Sequence, residues 1–459
     1  MSKASIDSAA AGLQSQPLRE RVRTYPLIHA LLNRRSRRFG AGMRLNGGPL
    51  AYASEMSEKP LSVDEEAALA FAACGITGYA LAELPYQSGD HHNAGGGNIM
   101  KQFLGRTVPS ADAAQIAAVF VINDSGTYLL PRPQDFSPAE IPALIRAARE
   151  QQLTSIYQQS RIRITDARID IPRDLPYLPP FNRWSANVAG TTYFLPVSEL
   201  TTIYINVLLA AFSDDFAYCV FDDRNGFAPA GVSRFGRKYG GSLYDDPQQG
   251  RFLTLSALEY WLCELAALEV GAMAQNLGLM SQALRLGGFP HFAGHPYGWA
   301  QALGFRMENP KFSKIAGLSG LQKSALRLLG KDMDVPTPIG LEQNGRVLLK
   351  PFCPPYYRDM KEAVAALVDE KFAAGRGAFR DGGANTAWRD GRQIQAGIPE
   401  YSNTAVDATV ACCQYVYRRY GRFPSVCGPF RTAIAYQAHH LDPAFYAHFY
   451  RPEEAGMNA

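Results

Sequence analysis

Leu255, Leu258, Leu262, Leu265, Leu268, Ala272 and Leu279 recur at helical spacing through residues 254–286, and the opposite face of that stretch is also largely apolar. No other segment restricts the fold so tightly. A helix that is apolar nearly all round must be covered on all sides, by a large core or by a second subunit. Gly287-Gly288 follows directly and reads as its C-terminal stop.

The rest of the chain has enough material for such a core. Of its 459 residues 47% are hydrophobic and 19% charged, which excludes global disorder and points to more than one ordinary domain. A formal net charge of +4 is too small to predict a nucleic-acid partner from bulk electrostatics. The cations are instead gathered around 34–38 and again around 418–422. Seven cysteines, an odd number without CxxC spacing, argue against a disulfide framework or a zinc ribbon and fit a reduced, cytoplasmic protein. Residues 1–16 are small and polar, are expected to be disordered, and lack the charged and apolar pattern of a secretory signal. No stretch approaches the ~20 apolar residues of a membrane span, so a soluble protein is expected.

Local signals place most elements. Apolar residues at Leu18, Val22, Leu27 and Leu31-Leu32, interrupted by Pro26, predict one helix or two short ones. Ser62-Val63-Asp64-Glu65 is a capping box that opens a helix ending near Gly75. Strands are predicted at 117–122 and 127–130 around the turn Asn123-Asp124-Ser125-Gly126. Segment 161–195, rich in proline, arginine and aromatics, reads as an irregular lid. Ser198 is expected to cap a helix reaching about Phe212. Asn344-Gly345 turns a hairpin over 338–352, and helices follow at about 358–373 and 403–420.

Between the first helical run and the capping box stands Arg34-Arg35-Ser36-Arg37-Arg38. Guanidinium groups hold phosphate through paired, charge-assisted hydrogen bonds, and a serine hydroxyl adds another. Such a run is either solvated or matched to a doubly charged group.

The order of four pieces resembles the FMN-dependent nitroreductase superfamily, nearest the branch of azoline dehydrogenases that form thiazoles and oxazoles in peptides. The pieces are the Arg-Arg-Ser-x-Arg cluster, the Leu-Ser-x-x-Glu helix start at 61–65, Arg106-Thr107-Val108-Pro109-Ser110 before the hairpin, and the long helix with Gly271-Ala272-Met273-Ala274-Gln275-Asn276-Leu277. The resemblance covers roughly 24–305. It implies an α+β fold, an antiparallel sheet flanked by helices, and a homodimer with FMN at the interface and the long helix central to that interface. The domain plan is then a disordered 1–16, an FMN domain over 17–305 with 161–195 inserted, and a C-terminal α+β extension over 315–459 packed near the active site.

By the same resemblance, Arg34, Ser36 and Arg38, with Arg35 beside them, would hold the FMN phosphate and ribityl chain. Arg106, Pro109 and Ser110 match the element lying along the flavin, and Gly287 and Gly288 the turn approaching its ring. Asn98 competes with the 106–110 element for the flavin-contacting position. Lys238-Tyr239 is the candidate for the branch's active-site pair, although it lies farther from Gln275 than that pattern has it. Two further departures are Phe39, one residue closer to the serine than usual, and Asp112 where a glycine is common.

The implied activity is hydride transfer through flavin N5 to or from a small organic or peptide-derived substrate, with NAD(P)H as a candidate electron donor. Lys238, Arg183 or Arg234 could stabilise the reduced flavin. Tyr177, Phe181, Trp184 and Tyr193 could stack on a flat substrate or simply pack their loop. Tyr420, Arg422, His439 and His440 are candidates for substrate selection, and His91-His92 in the glycine-rich loop for the same task. Adjacent histidines rarely converge on one ion, so His439-His440 with Asp442 predicts no metal. The competing reading is a non-catalytic flavin-fold scaffold within a modifying complex.

Overall fold

The computed structural model of the chain describes residues 18–86 and 100–455 and shows an α+β protein. Its centre is an antiparallel sheet of seven strands: β1 (Ala117–Asn123), β2 (Gly126–Leu130), β3 (Ile162–Thr165), β4 (Thr192–Glu199), β5 (Gly287–Phe292), β6 (Phe430–Arg431) and β7 (Ile434–His439). The spatial order is β5-β7-β4-β1-β2-β3, with the short β6 also on β4. Asn123-Asp124-Ser125-Gly126 does turn β1 into β2, with the Asn123 side chain accepting from the Ser125 amide at 2.9 Å.

Both faces of the sheet are covered, so its central strands are buried from end to end. Ala117, Val119 and Val121 turn towards the helix Val63–Cys74 and the second half of the long helix. Ala118, Phe120 and Ile122 turn the other way, with Tyr193, Leu195 and Val197 of β4, onto Trp299, Leu303 and Leu341. This two-residue alternation makes β1 a fixed plate between two cores.

The long helix runs Leu255–Ala283 and is capped by Thr254. It stops before the glycine pair: Arg285 takes the left-handed turn, at φ 60°, and Gly287-Gly288 begins β5. Only one side of it is buried within the chain. Tyr260, Trp261 and Leu268 on the other side remain 64%, 45% and 53% exposed. The expected helix over 198–212 is shorter too, Thr201–Ala211, because Ser198 continues the strand. Glu199 does the capping, accepting from the Thr201 amide at 2.6 Å.

The region beyond 315 is built into the same body. Strands β6 and β7 lie within the central sheet, β7 between β5 and β4. Helices Met360–Phe372 and Asn403–Tyr420 share a core with Thr201–Ala211 and the first half of the long helix. Segment 161–195 is likewise packed: its ends form β3 and β4, and Ile171, Leu178 and Ala186 are buried between them. Among the described residues no helix is long and apolar enough to cross a membrane.

Three buried carboxylates pin helices to this framework. Glu66 accepts from Asn123, Thr192 and Tyr157 at 2.7, 2.8 and 3.1 Å. Glu259 accepts from the amides of Ser425 and Cys427 at 2.8 and 3.2 Å, anchoring the C-terminal segment. Glu269 accepts from Ser110 Oγ at 2.8 Å and from the Ala117 and Ile116 amides at 2.9 and 3.2 Å, and it pairs with Arg106.

Removing one partner of a buried ion pair leaves an uncompensated charge. Glu269→Ala is therefore expected to lower unfolding free energy by about 3–5 kcal/mol, measured by urea denaturation. A loss below about 1 kcal/mol would show that Arg106 finds another partner.

Candidate functional site

The basic cluster is held in a fixed place. Helix Leu27–Asn33 ends at Arg34, and the chain then lies against the sheet margin, where Arg37 bridges Gly288 and Gly40 bridges Leu441. Phe39 locks the segment from below. Its ring is 1% exposed and stacks on Phe445 with centroids 4.1 Å apart, and its amide donates to Tyr446 Oη at 3.1 Å. The early phenylalanine thus serves as an aromatic anchor for the cations before it.

Those cations differ in exposure and partners. Arg37 is buried and donates to Gln282 Oε1 at 2.9 Å, on the last turn of the long helix. Arg38 is half-buried, donates to Asn182 Oδ1 at 2.6 Å and lies 4.4 Å over the Phe289 ring. Its Nε meets no partner among the described residues. Arg34 packs across Gly278 of the long helix, while Arg35 and Ser36 are exposed. Among the described residues no carboxylate lies within ion-pair distance of Arg34, Arg35 or Arg38.

Gly287, Gly288, His439 and His440 are brought to the same place, since β5 and β7 pair there. A Cβ on Gly287 would stand 2.5 Å from His439 Nε2, and one on Gly288 would stand 2.3 Å from Tyr436 Oη. The close approach that requires glycine is made by these side chains of β7. His439 is buried against the Arg37 backbone, to which its ring hydrogen-bonds. His440 reaches Glu65, the capping-box glutamate, at 3.4 Å. Burial opposes ionisation of Glu65, yet the hydrogen bonds from His440 and Ser62 hold its carboxyl below the usual range.

Asn182 and His291 belong to this group and were not read from the sequence. Asn182 comes from the packed 161–195 segment and lies 3.5 Å from His291 Nδ1. The signal for His291 was present: on a strand starting at Gly287, residues 289 and 291 share a face. Burial, reinforced by the Arg38 charge, pulls the His291 imidazole down to about 4. Burial, reinforced by His440, pulls His439 down to about 3. Both rings are neutral at neutral pH.

Other expected site residues lie elsewhere or are engaged internally. Arg106 and Ser110 are occupied by Glu269, and Pro109 is exposed beside them. Asp112 sits in a short turn at φ 49°. Tyr420 is fully buried and donates to Asp222 Oδ2 at 2.5 Å, and Arg422 donates to Ser425 O at 2.6 Å and Thr337 Oγ1 at 3.2 Å. Neither is presented to the Arg34–Arg38 segment; both serve the packing around the end of helix Asn403–Tyr420. Lys238-Tyr239 forms an exposed turn, tied to Asp245 through the Lys238 amide. Its neighbour Phe235 packs on a core that includes Leu255, Leu258 and Leu262 of the first half of the long helix, whereas Arg34 rests on Gly278 in the second half. Trp184 joins the Phe39 aromatic cluster, and Tyr193 stacks on Trp299 in the core. Asn98 and His91-His92 lie outside the described residues.

No family model matches the chain, and no curated protein matches it. Among solved structures, a protein of Ralstonia eutropha JMP134 described as a "putative nitroreductase" is similar over 61% of this chain and 75% of its own, with 14% identity and a TM-score of 0.27. So loose a superposition carries no argument about chemistry, which rests on the residues themselves.

Two outcomes follow from this packing. Gly288→Ala overpacks the contact with Tyr436 and should cost about 1–3 kcal/mol, read as a fall in melting temperature. The two histidines have folded-state values below the ~6.5 of an unfolded imidazole, so the unfolded chain binds protons first. Their contribution is complete above about pH 6.5 and is lost as pH falls towards 4 and then 3. Urea midpoints should therefore drop on acidification through this window, with a shallower slope in His439→Leu; an unchanged slope would contradict the assignment.

Proposed function

We propose that the chain is an FMN-dependent oxidoreductase related to the nitroreductases, and that the Arg34–Arg38 segment receives the flavin phosphate. The observation that carries this reading is positive charge on a rigid support: among the described residues Arg34, Arg35 and Arg38 lack a carboxylate partner, while Phe39 and the strand bridges fix the backbone. The fit is supported by buried polar atoms in the same place that find no partner among the described residues, Arg38 Nε and His291 Nε2. Polar atoms buried without partners are what a polar ligand would satisfy.

Arg34, Arg35 and Ser36 would hold the phosphate, and Arg38, oriented by Asn182, would reach the adjoining chain of the cofactor. Bound FMN would supply hydride transfer at its N5, with NAD(P)H as the candidate donor and a small organic or peptide-derived molecule, in the azoline-dehydrogenase manner, as the candidate substrate. His291 and His439, being neutral, would offer hydrogen bonds without adding charge beside the isoalloxazine ring. The exposed Tyr260, Trp261 and Leu268, with Leu27, Ile28, Leu31 and Leu32 of the short helix, form the face we assign to a second copy of the chain. Lys238 and Tyr239 could serve as a catalytic pair only across that boundary.

The second reading, a flavin-fold scaffold without catalysis, is favoured by one observation. Two elements expected along the flavin are filled from within, Arg106-Ser110 by Glu269 and Gly287-Gly288 by His439 and Tyr436.

Retention of flavin separates the two. The purified protein should be yellow and release FMN on denaturation. Arg34→Ala with Arg38→Ala should weaken FMN binding at least about tenfold, since each charge-assisted bond is worth about 1.5–3 kcal/mol, without unfolding the chain. A colourless protein that ignores added FMN would leave the scaffold reading.

A further inference from the structure

A second concentration of cations lies elsewhere, around the last turn of helix Asn403–Tyr420, where the sequence already showed a basic run. A cavity of about 690 Å³ opens there, and among the described residues every charged side chain lining it is a cation: Arg234, Lys314, Lys323, Arg418 and Arg419. They come from four separate elements. Arg234 belongs to the turn Ser233–Phe235, Lys314 to Phe312–Ile315, Lys323 to Gly320–Leu328, and the arginines to the helix end.

The convergence is built by backbone. Gly231, at φ +77°, would place a Cβ 2.6 Å from the Ala411 carbonyl, so the loop bearing Arg234 lies directly on the helix. Gly421, in the left-handed capping position, faces Lys314, whose ammonium donates to the Arg418 carbonyl at 2.6 Å. The lysine is thereby aimed at the rim of the cavity. Its ammonium is shifted down by burial and by the neighbouring Lys323 and Arg419 charges.

Among the described residues one carboxylate lies within ion-pair distance of these cations, and it is already used. Asp222 is fully buried, accepts from Tyr415 and Tyr420 at 2.7 and 2.5 Å, and lies 3.4 Å from Arg419. It compensates Arg419 from below and leaves the other four cations facing the cavity. The helix C-terminus contributes only about half a negative charge, which the two arginines outweigh.

We propose that this cavity is a binding site for a small polyphosphate anion, such as pyrophosphate or the phosphate chain of a nucleotide. Four cations drawn together cost free energy that a single monoanion does not offset, whereas two or more linked phosphates match them in charge. The volume falls within the roughly 300–1,000 Å³ of small-molecule sites. A nucleic acid would call for a basic stripe over more than about 1,000 Å² of protein surface, whereas these cations ring one concavity.

The test is calorimetric titration of the full chain with pyrophosphate, inorganic phosphate and a short single-stranded RNA. Pyrophosphate should bind at least about tenfold more tightly than phosphate, and more weakly as salt is raised. Lys323→Glu with Arg418→Glu should weaken pyrophosphate binding at least about tenfold at an unchanged melting temperature, and the exposed single variant Arg234→Glu should move it the same way. Arg34→Ala with Arg38→Ala should leave it unchanged, which separates this site from the proposed flavin clamp. The proposal is overturned if pyrophosphate does not bind, if the reversals leave its affinity intact, or if only RNA binds.

Discussion

The buried carboxylate of Glu269, at the middle of the long helix, is the interaction on which the rest of the structure depends. It gathers a guanidinium, a hydroxyl and two backbone amides from the 106–117 segment onto one point of an apolar helix. A carboxylate with so many donors is stable in an interior that would otherwise exclude it. The consequence is geometric. Strand β1 cannot slide along the helix, and the strands hydrogen-bonded outward from it inherit that register. Glu259, ten residues earlier and about 15 Å along the axis, does the same for the C-terminal segment.

From that register follows the position of the basic cluster. With β1 fixed, β4 and then β7 and β5 are fixed, and the margin of β5 and β7 is where Arg37 and Gly40 make their bridges. The last turn of the same helix offers Gln282 to Arg37, and its Gly278 gives Arg34 room to lie across it. A charge run that would fray as an isolated helix end becomes an ordered surface, held by the helix on one side and by Phe39 and Phe445 on the other.

What could be read in advance was local. The capping box at Ser62–Glu65, the Asn344-Gly345 turn and the helix Asn403–Tyr420 each rest on a few neighbouring residues, and each is found where its signal lies. The insertion of β7 between β5 and β4 joins distant parts of the chain, and no periodicity encodes such a pairing. Ser198 misled because the residue after it, Glu199, supplies the cap while the serine stays in the strand. Arg106 and Ser110 were read as facing a ligand because sequence cannot show that a glutamate on another element reaches them first. Glu259 and Glu269 were the available clue: carboxylates inside an apolar run are expensive to bury unless something waits to donate to them. The convergence of Arg34–Arg38 with His439 and His440 was visible only as separate motifs, and the sheet is what joins them.

The site we propose for the flavin is this junction. Amide hydrogen exchange with and without added FMN tests it directly, because ligand contacts suppress local opening. Protection should rise in 33–41, 182–186, 287–291 and 437–441. Protection confined to other segments, or none anywhere, would contradict the account.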